Sequence, residues 1–144
     1  GGLLNHTHQM LHMLQGLYPC LPYPIKAERC ILAILFHDYG KLFEYNTQGD
    51  TLPEMYLLGH IYIGAHKLQN ELEKRGIDAE ETKRIVHCIL SHHGMREYGS
   101  PVLPCIQEAS IVSYLDNISA KTDTIDGAGE MEYVNALGTH VIKG

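Results

Sequence analysis

The chain has 144 residues, 44% apolar and 19% charged. That length and balance describe one globular domain with a core of its own, and they exclude a disordered tract, a collagen-like repeat and a coiled-coil rod. No apolar run approaches the ~20 residues of a membrane helix, no cleavable leader opens the chain, and the net charge of −6 argues against free-standing affinity for a nucleic-acid duplex.

The pattern is helical. The chain opens at Gly1-Gly2 with nothing leading into its first helix, as expected of a piece of something longer. Leu3 to Leu17 has a helical period. The breaker-rich Tyr18–Pro24 leads to a second helix, Ala27 to Asp38, apolar on nearly all sides and therefore expected at the centre. A loop follows from Tyr39 to about Glu54, in which Asn46–Asp50 is a turn signal. Leu42–Tyr45 and Thr51–Met55 are able to flank that turn as a short β-hairpin. The third helix covers Leu57 to Arg75 and stops at Gly76. The fourth has Asp78 as N-cap, with Glu81 three residues on as the second half of a capping box, and runs to His93 before Gly94. The fifth starts near Pro104 and ends at about Lys121. The tail from Thr122 is Gly-rich and carries no pattern. The expectation is an all-α bundle of five or more helices spanning residues 1–144, with room for one short hairpin.

Cys20, Cys30, Cys88 and Cys105 form no C-x-x-C pair. They read as reduced, mostly buried thiols of a cytoplasmic protein. Histidine is the unusual residue, with ten in the chain. An unpaired histidine is costly to bury, and imidazole is the commonest metal ligand.

Helical geometry sorts the ten. On the first helix Leu3, Leu4, Met10, Leu11, Met13, Leu14 and Leu17 share a broad face that includes His6, while His8 and His12 lie opposite. On the third, His60 sits with Leu57, Ile61, Gly64 and Leu68, and His66 sits nearer Tyr62, Asn70 and Glu73. On the fourth, His92 and His93 flank the inner face of Ile85, Val86, Ile89 and Leu90. His87 falls outside that arc, as a surface residue or one just behind the site. His37 and Asp38 close the second helix, and Asp116 stands one turn after Val112 on the fifth. His6, His37, Asp38, His60, His92, His93 and Asp116 therefore turn inward from five helices. His8, His12, His66 and His140 read as solvated. Five inward histidines with two carboxylates are hard to satisfy by ordinary hydrogen bonds, whereas a pair of divalent cations satisfies them. Imidazole and carboxylate suit Mn, Fe, Zn, Co or Ni, without thiolate.

The ordered set His6, His37-Asp38, His60, His92-His93 and Asp116 resembles the HD-domain superfamily of metal-dependent phosphohydrolases. The segments Gly2–Thr7, Phe36–Lys41, Leu57–Ile61, Leu90–Gly94, Tyr98–Pro101 and Asp116–Lys121 look more closely like the HD domain of bacterial 3′–5′ exoribonucleases that carry an N-terminal OB-fold. The resemblance implies two metals. Asp38 would bridge them, His6, His37 and Asp116 would complete one site, and His60, His92 and His93 the other. It also implies a phosphate-contacting role for Lys41, three residues after Asp38. Asp38 and Lys41 are thus the expected catalytic residues. Arg96 and Lys121 are further candidates for phosphate contacts, and Tyr39, Tyr45 and Tyr98 for stacking on a base. Gly40 and Gly94 are expected at sharp turns beside the site.

The implied substrate is a phosphate ester: a nucleotide or single-stranded nucleic acid. The segment that would grip a strand, the OB-fold, is not in this sequence. A nucleotide or cyclic-dinucleotide phosphohydrolase is the alternative, although no Gly-Tyr-Pro follows the His-His pair. A metal-bound, ligand-sensing domain with little turnover would be expected to lack a ligand residue, and none is missing.

Overall fold

The computed structural model describes residues 2–144, so the opening at Gly1 lies outside the described residues. Six α-helices form the bundle: α1 (Gly2–Leu17), α2 (Ala27–Phe36), α3 (Pro53–Leu57), α4 (His60–Lys74), α5 (Ala79–Leu90) and α6 (Gln107–Gly127). A two-stranded antiparallel sheet, β1 (Tyr133–Val134) and β2 (Thr139–His140), lies in the tail, where no pattern had suggested one. The expected hairpin around Asn46–Asp50 shrinks to a single bridge, Tyr45 to Thr51. A 3₁₀ turn takes Tyr39–Phe43 and α3 takes the far side. No helix of the described residues is long and apolar enough to cross a membrane.

The core is built from one stripe of each long helix. Met10 and Leu14 come from α1, Cys30, Ala33 and Ile34 from α2, and Ala65, Leu68 and Leu72 from α4. Ile85, Cys88 and Ile89 of α5 close it with Ala109, Val112 and Leu115 of α6. α2 packs against α1, α4, α5 and α6, the central position its apolar character predicted. Its outer face is nevertheless open, with Ile31 and Leu35 exposed. Leu4, placed on the inner face of the first helix, is 74% exposed. Cys20 and Cys105 are also exposed, so only two of the four free thiols belong to the core.

Several boundaries move: α2 ends at Phe36 rather than Asp38, and α6 starts at Gln107 rather than near Pro104. The helix expected to start at Leu57 breaks at Gly59, whose φ of 74° lies in the left-handed region. Leu57 ends α3 and is 78% exposed rather than facing the core with His60. The helix expected to run to His93 stops at Leu90, and His92 and His93 follow in a turn. The last helix continues to Gly127, six residues past Lys121.

The capping box forms only in its first half. Asp78 Oδ2 accepts from the N–H groups of Glu80 and Glu81 at 3.0 and 3.1 Å. Glu81 turns instead to Arg29, whose Nε and Nη2 donate to its two oxygens at 2.6 Å. Arg29 Nη1 also donates to Glu108 Oε1 at 3.2 Å, so one guanidinium ties α2 to both α5 and α6. A bidentate, charge-assisted pair is stronger than a cap to a neutral amide. Hydrogen bonds from Arg29 hold the Glu81 carboxyl down at about 2, against the burial that pushes it up. The stability this pair contributes is full above the unfolded value of about 4.3 and is lost as pH falls towards 2. Glu81→Gln should therefore destabilise the neutral protein by roughly 2 kcal/mol and flatten the acid limb of its Tm profile. An acid limb parallel to the wild type's contradicts this.

Candidate metal centre

Each turn that carries a site residue is fixed by local chemistry. His37 caps the C-terminus of α2, and Asp38 follows at φ −106°, ψ 3°, the sparsely allowed bridge region. This turn packs against the start of α4. A Cβ on Gly40 would lie 2.6 Å from His60 Cα, so the two backbones meet only because Gly40 has none. Its role is this close approach rather than a positive φ, which corrects the expectation of a conformational turn. Gly94 does have the positive φ expected, 78°.

His60 is the first residue of α4, where a helix leaves its amide without an intrahelical acceptor. Glu44, only 3% exposed, fills that need: its Oε1 accepts from His60 N at 2.6 Å and lies 3.4 Å from His60 Nδ1. The sequence reading missed Glu44. The signal available was a lone carboxylate in the run Leu42–Tyr45, read there as a strand residue.

The structure brings together all seven residues singled out by helical facing. His6 Nε2 lies 3.2 Å from His37 Nε2 and 3.0 Å from Asp116 Oδ1. With His37 and Asp116 it makes a three-residue group suited to one ion. His60, His92 and His93 make a second group. Asp38 stands between them. Its Oδ2 is 3.4 Å from His37 Nε2, and its Oδ1 is 3.6 Å from His60 Nε2 and 4.0 Å from His92 Nε2.

The rings are oriented from behind. The Nδ1–H groups of His37 and His92 donate to the carbonyls of Ile34 and Ile89 at 2.8 and 2.7 Å. His93 Nδ1 donates to Tyr98 O at 2.6 Å. His6 is held by side chains. Gln9 Nε2 donates to Asp123 Oδ1 at 3.2 Å, which turns Gln9 Oε1 towards Ser119. Ser119 Oγ donates to that oxygen and accepts from His6 Nδ1 at 2.8 Å. With each Nδ1 proton spent outward, each Nε2 presents its lone pair to the centre. Sequence reasoning missed Ser119 and Gln9. Ser119 stands one turn after Asp116 on α6, a spacing that puts both on one face. Ser119→Ala should weaken Mn binding by about 10–100-fold with little change in Tm, as read by calorimetric titration. An unaltered Mn affinity contradicts this role.

The donor set fits divalent cations. Asp38 Oδ1, His60 Nε2 and His92 Nε2 are buried without any hydrogen-bond partner among the described residues. Burial leaves such groups expensive unless something else pairs with them. Burial, then the charges of His37 and His93, drive His92 down to about 3, which keeps it neutral and able to ligate. Burial likewise lowers His60. Burial pushes Asp38 and Asp116 up, but hydrogen bonds from His37 and His6 respectively outweigh it and hold both carboxyls below their usual range. Burial opposes a charge on His37, yet the Asp38 carboxylate overcomes it and raises that ring.

Lys41 reaches the centre, but its Nζ donates to Asp38 Oδ2 at 2.7 Å rather than standing free for a phosphate. Tyr39 is packed between Phe36 and Phe43, with ring centroids 5.2 and 5.6 Å away, and is a structural residue rather than a stacking platform. Tyr98 and Lys121 line the groove that opens at the centre; Tyr45 and Arg96 are not among its lining residues. His8 and His12 pair with each other on the surface at 3.0 Å. His66 stacks on Tyr62, and His140 lies on β2 beside Tyr133. His87 accepts from Cys105 N at 3.1 Å and touches none of the seven clustered residues.

The family model for the HD domain matches residues 3–121. The chain is 37% identical over 131 residues to the protein named 3′-5′ exoribonuclease YhaM of Bacillus pumilus and to that of Bacillus subtilis. It is 36% identical to the protein of that name from a Geobacillus species. These matches cover 90% of this chain but only 40–41% of the relatives' own length. No solved structure matches significantly. A helical bundle that gathers five histidines and two aspartates in HD order, together with a family match over 3–121, shows that the chain belongs to the HD domain family.

Proposed function

We propose that residues 1–144 are one HD domain that hydrolyses phosphodiester bonds at a two-metal centre, with the 3′ end of single-stranded RNA as its substrate. The supporting observation is the Asp38 carboxylate, which faces His37 with one oxygen and His60 and His92 with the other. His6, His37 and Asp116 would hold one ion, His60, His92 and His93 the other, and Asp38 both. Ions held there would lower the pKa of a bound water and offset charge on the phosphoryl group.

The chain's own residues do the rest. The backbone carbonyls of Ile34, Ile89 and Tyr98, with the Ser119 hydroxyl, hold four rings in the ligating tautomer. Glu44 fixes the start of α4 and so the position of His60. Lys41 neutralises Asp38 and, with a half-exposed side chain at the groove mouth, can turn its ammonium to a phosphoryl oxygen of the substrate.

The RNA substrate is the one that the exoribonucleases similar to this chain are named for. With a net charge of −6 the chain has little long-range attraction for RNA, so a neighbouring strand-gripping domain such as an OB-fold would supply affinity. More than half of the relatives' length lies outside this chain's match, which leaves room for one. Four free thiols suit the reducing cytoplasm.

The test uses a 5′-labelled single-stranded RNA with added Mn. Progressive shortening from the 3′ end is the expected result. Intact RNA alongside hydrolysed bis-p-nitrophenyl phosphate would replace this reading with a nucleotide or cyclic-dinucleotide substrate.

A further inference from the structure

A groove of about 830 Å³ runs from the metal centre along α6. Its lining begins at Asp38, His93 and Asp116 and continues past Asn117, Ala120 and Thr124. From Asp116 to Thr124 a helix rises about 12 Å. The far wall is the turn between β1 and β2, through Ala136 and Leu137. That turn lies beyond the 3–121 span of the family match.

The wall is anchored. Lys143 Nζ donates to the carbonyls of Ile125 and Asp126 in the last turn of α6, at 2.8 and 2.5 Å. The Ile125 carbonyl also accepts from Ala128 N at 3.3 Å, and the negative helix end favours a cation. Lys143 N donates to Glu130 Oε2 at 2.8 Å, and Val141 beside it is 4% exposed. The tail is therefore docked on the helix that carries Asp116.

The reacting phosphoryl group by itself would fill only a small part of this groove. Its volume falls within the roughly 300–1,000 Å³ of small-molecule sites. Its lining fits that class too: apolar Ala120, Ala136 and Leu137, polar groups such as the Asn117 amide, and two lysines, Lys41 beside Asp38 and Lys121 farther along α6. Lys121 stands five residues beyond Asp116, about 7.5 Å along the helix axis, comparable to one nucleotide of an extended strand.

We propose that the tail turn and the facing side of α6 form a nucleoside subsite. The nucleoside next to the scissile bond packs between Leu137, Ala136 and Ala120, Asn117 contacts its polar edge, and Lys121 takes the neighbouring phosphate. This rests on the phosphodiesterase reading above and adds to it the tail as the element that recognises substrate beyond the reacting phosphate.

The test compares wild type with Leu137→Glu, which places a carboxylate in the wall, and Lys143→Ala, which releases the wall without touching the groove. Binding of a fluorescent single-stranded oligonucleotide with phosphorothioate links is read by anisotropy in Mn-supplemented protein. Turnover of bis-p-nitrophenyl phosphate is read in parallel, with thermal melts to confirm folding. Both variants should bind the oligonucleotide about tenfold more weakly, and that loss should exceed any loss of small-substrate turnover about tenfold. Equal oligonucleotide binding by all three proteins, no binding by wild type, or parallel losses in both readouts would overturn the subsite. A wild type that binds the oligonucleotide with this variant pattern but hydrolyses neither bis-p-nitrophenyl phosphate nor the unmodified 5′-labelled RNA would leave the subsite standing and refute the phosphodiesterase reading.

Discussion

Asp38→Asn is expected to lower hydrolysis of bis-p-nitrophenyl phosphate by at least about 10³-fold and to release bound metal. The substitution keeps the shape of the side chain and removes its charge. Asp38 is the residue whose two oxygens face the two histidine groups, at 3.4 Å on one side and 3.6 and 4.0 Å on the other. Without it, the group of His60, His92 and His93 would hold a divalent cation with neutral ligands alone. The Lys41 ammonium would also lose its carboxylate partner beside the same site. His87→Ala is the matched control. That ring is tied to Cys105 away from the seven clustered residues and should leave turnover unchanged. An Asp38→Asn protein with more than a tenth of wild-type turnover, or equal losses in the two variants, contradicts the assignment.

The second large effect is on stability. Gly40→Ala adds one methyl group, and that carbon would lie 2.6 Å from both the Cα and the carbonyl carbon of His60. The obstacle is backbone, so no rotamer change relieves it. Either the Tyr39–Phe43 turn or the start of α4 must move, at a cost of about 3 kcal/mol. For a chain of this size that is roughly 10 °C in Tm. The movement also displaces His60, so Mn affinity should fall in the same variant. Gly94→Ala is the informative contrast. Its Cβ would meet only the Ser113 hydroxyl at 2.7 Å, which can rotate, leaving mainly the cost of the positive φ, about 1 kcal/mol. A Gly40→Ala protein that melts within about 2 °C of wild type contradicts the close-approach account.

Much of the centre was legible because helical facing needs only a period and a start. His6 could be placed from Met10 and Leu14, which do lie in the core, and Asp116 from Val112. The same argument placed Leu4 and Leu57 wrongly. Both stand in terminal turns, where a helix face has nothing opposite to cover it. His92 and His93 reached the centre for a reason other than the one inferred. On a continuing helix, neighbours point about 100° apart. The turn after Leu90 lets both rings converge, with centroids 4.2 Å apart.

What stayed hidden depends on contacts between distant segments. Glu44 meets His60 across 16 residues and Ser119 meets His6 across 113, and no local pattern encodes either. Glu81 looked like the second half of a capping box because its true partner, Arg29, is 52 residues away. The tail sheet has strands of two residues each, too short to carry a period. Its place is set by Lys143 capping α6, a tertiary contact.

The central claim is that Asp38 joins two metal groups into one hydrolytic centre. The most direct test is elemental analysis of protein purified without chelator or affinity-tag nickel, on wild type and on the His92→Ala/His93→Ala double variant. The same samples are assayed on bis-p-nitrophenyl phosphate with Mn. About two transition-metal ions per wild-type chain, about one in the double variant, and turnover lost with the second ion are the predicted results. No tightly bound metal in wild type, or full turnover in the double variant, would contradict the account.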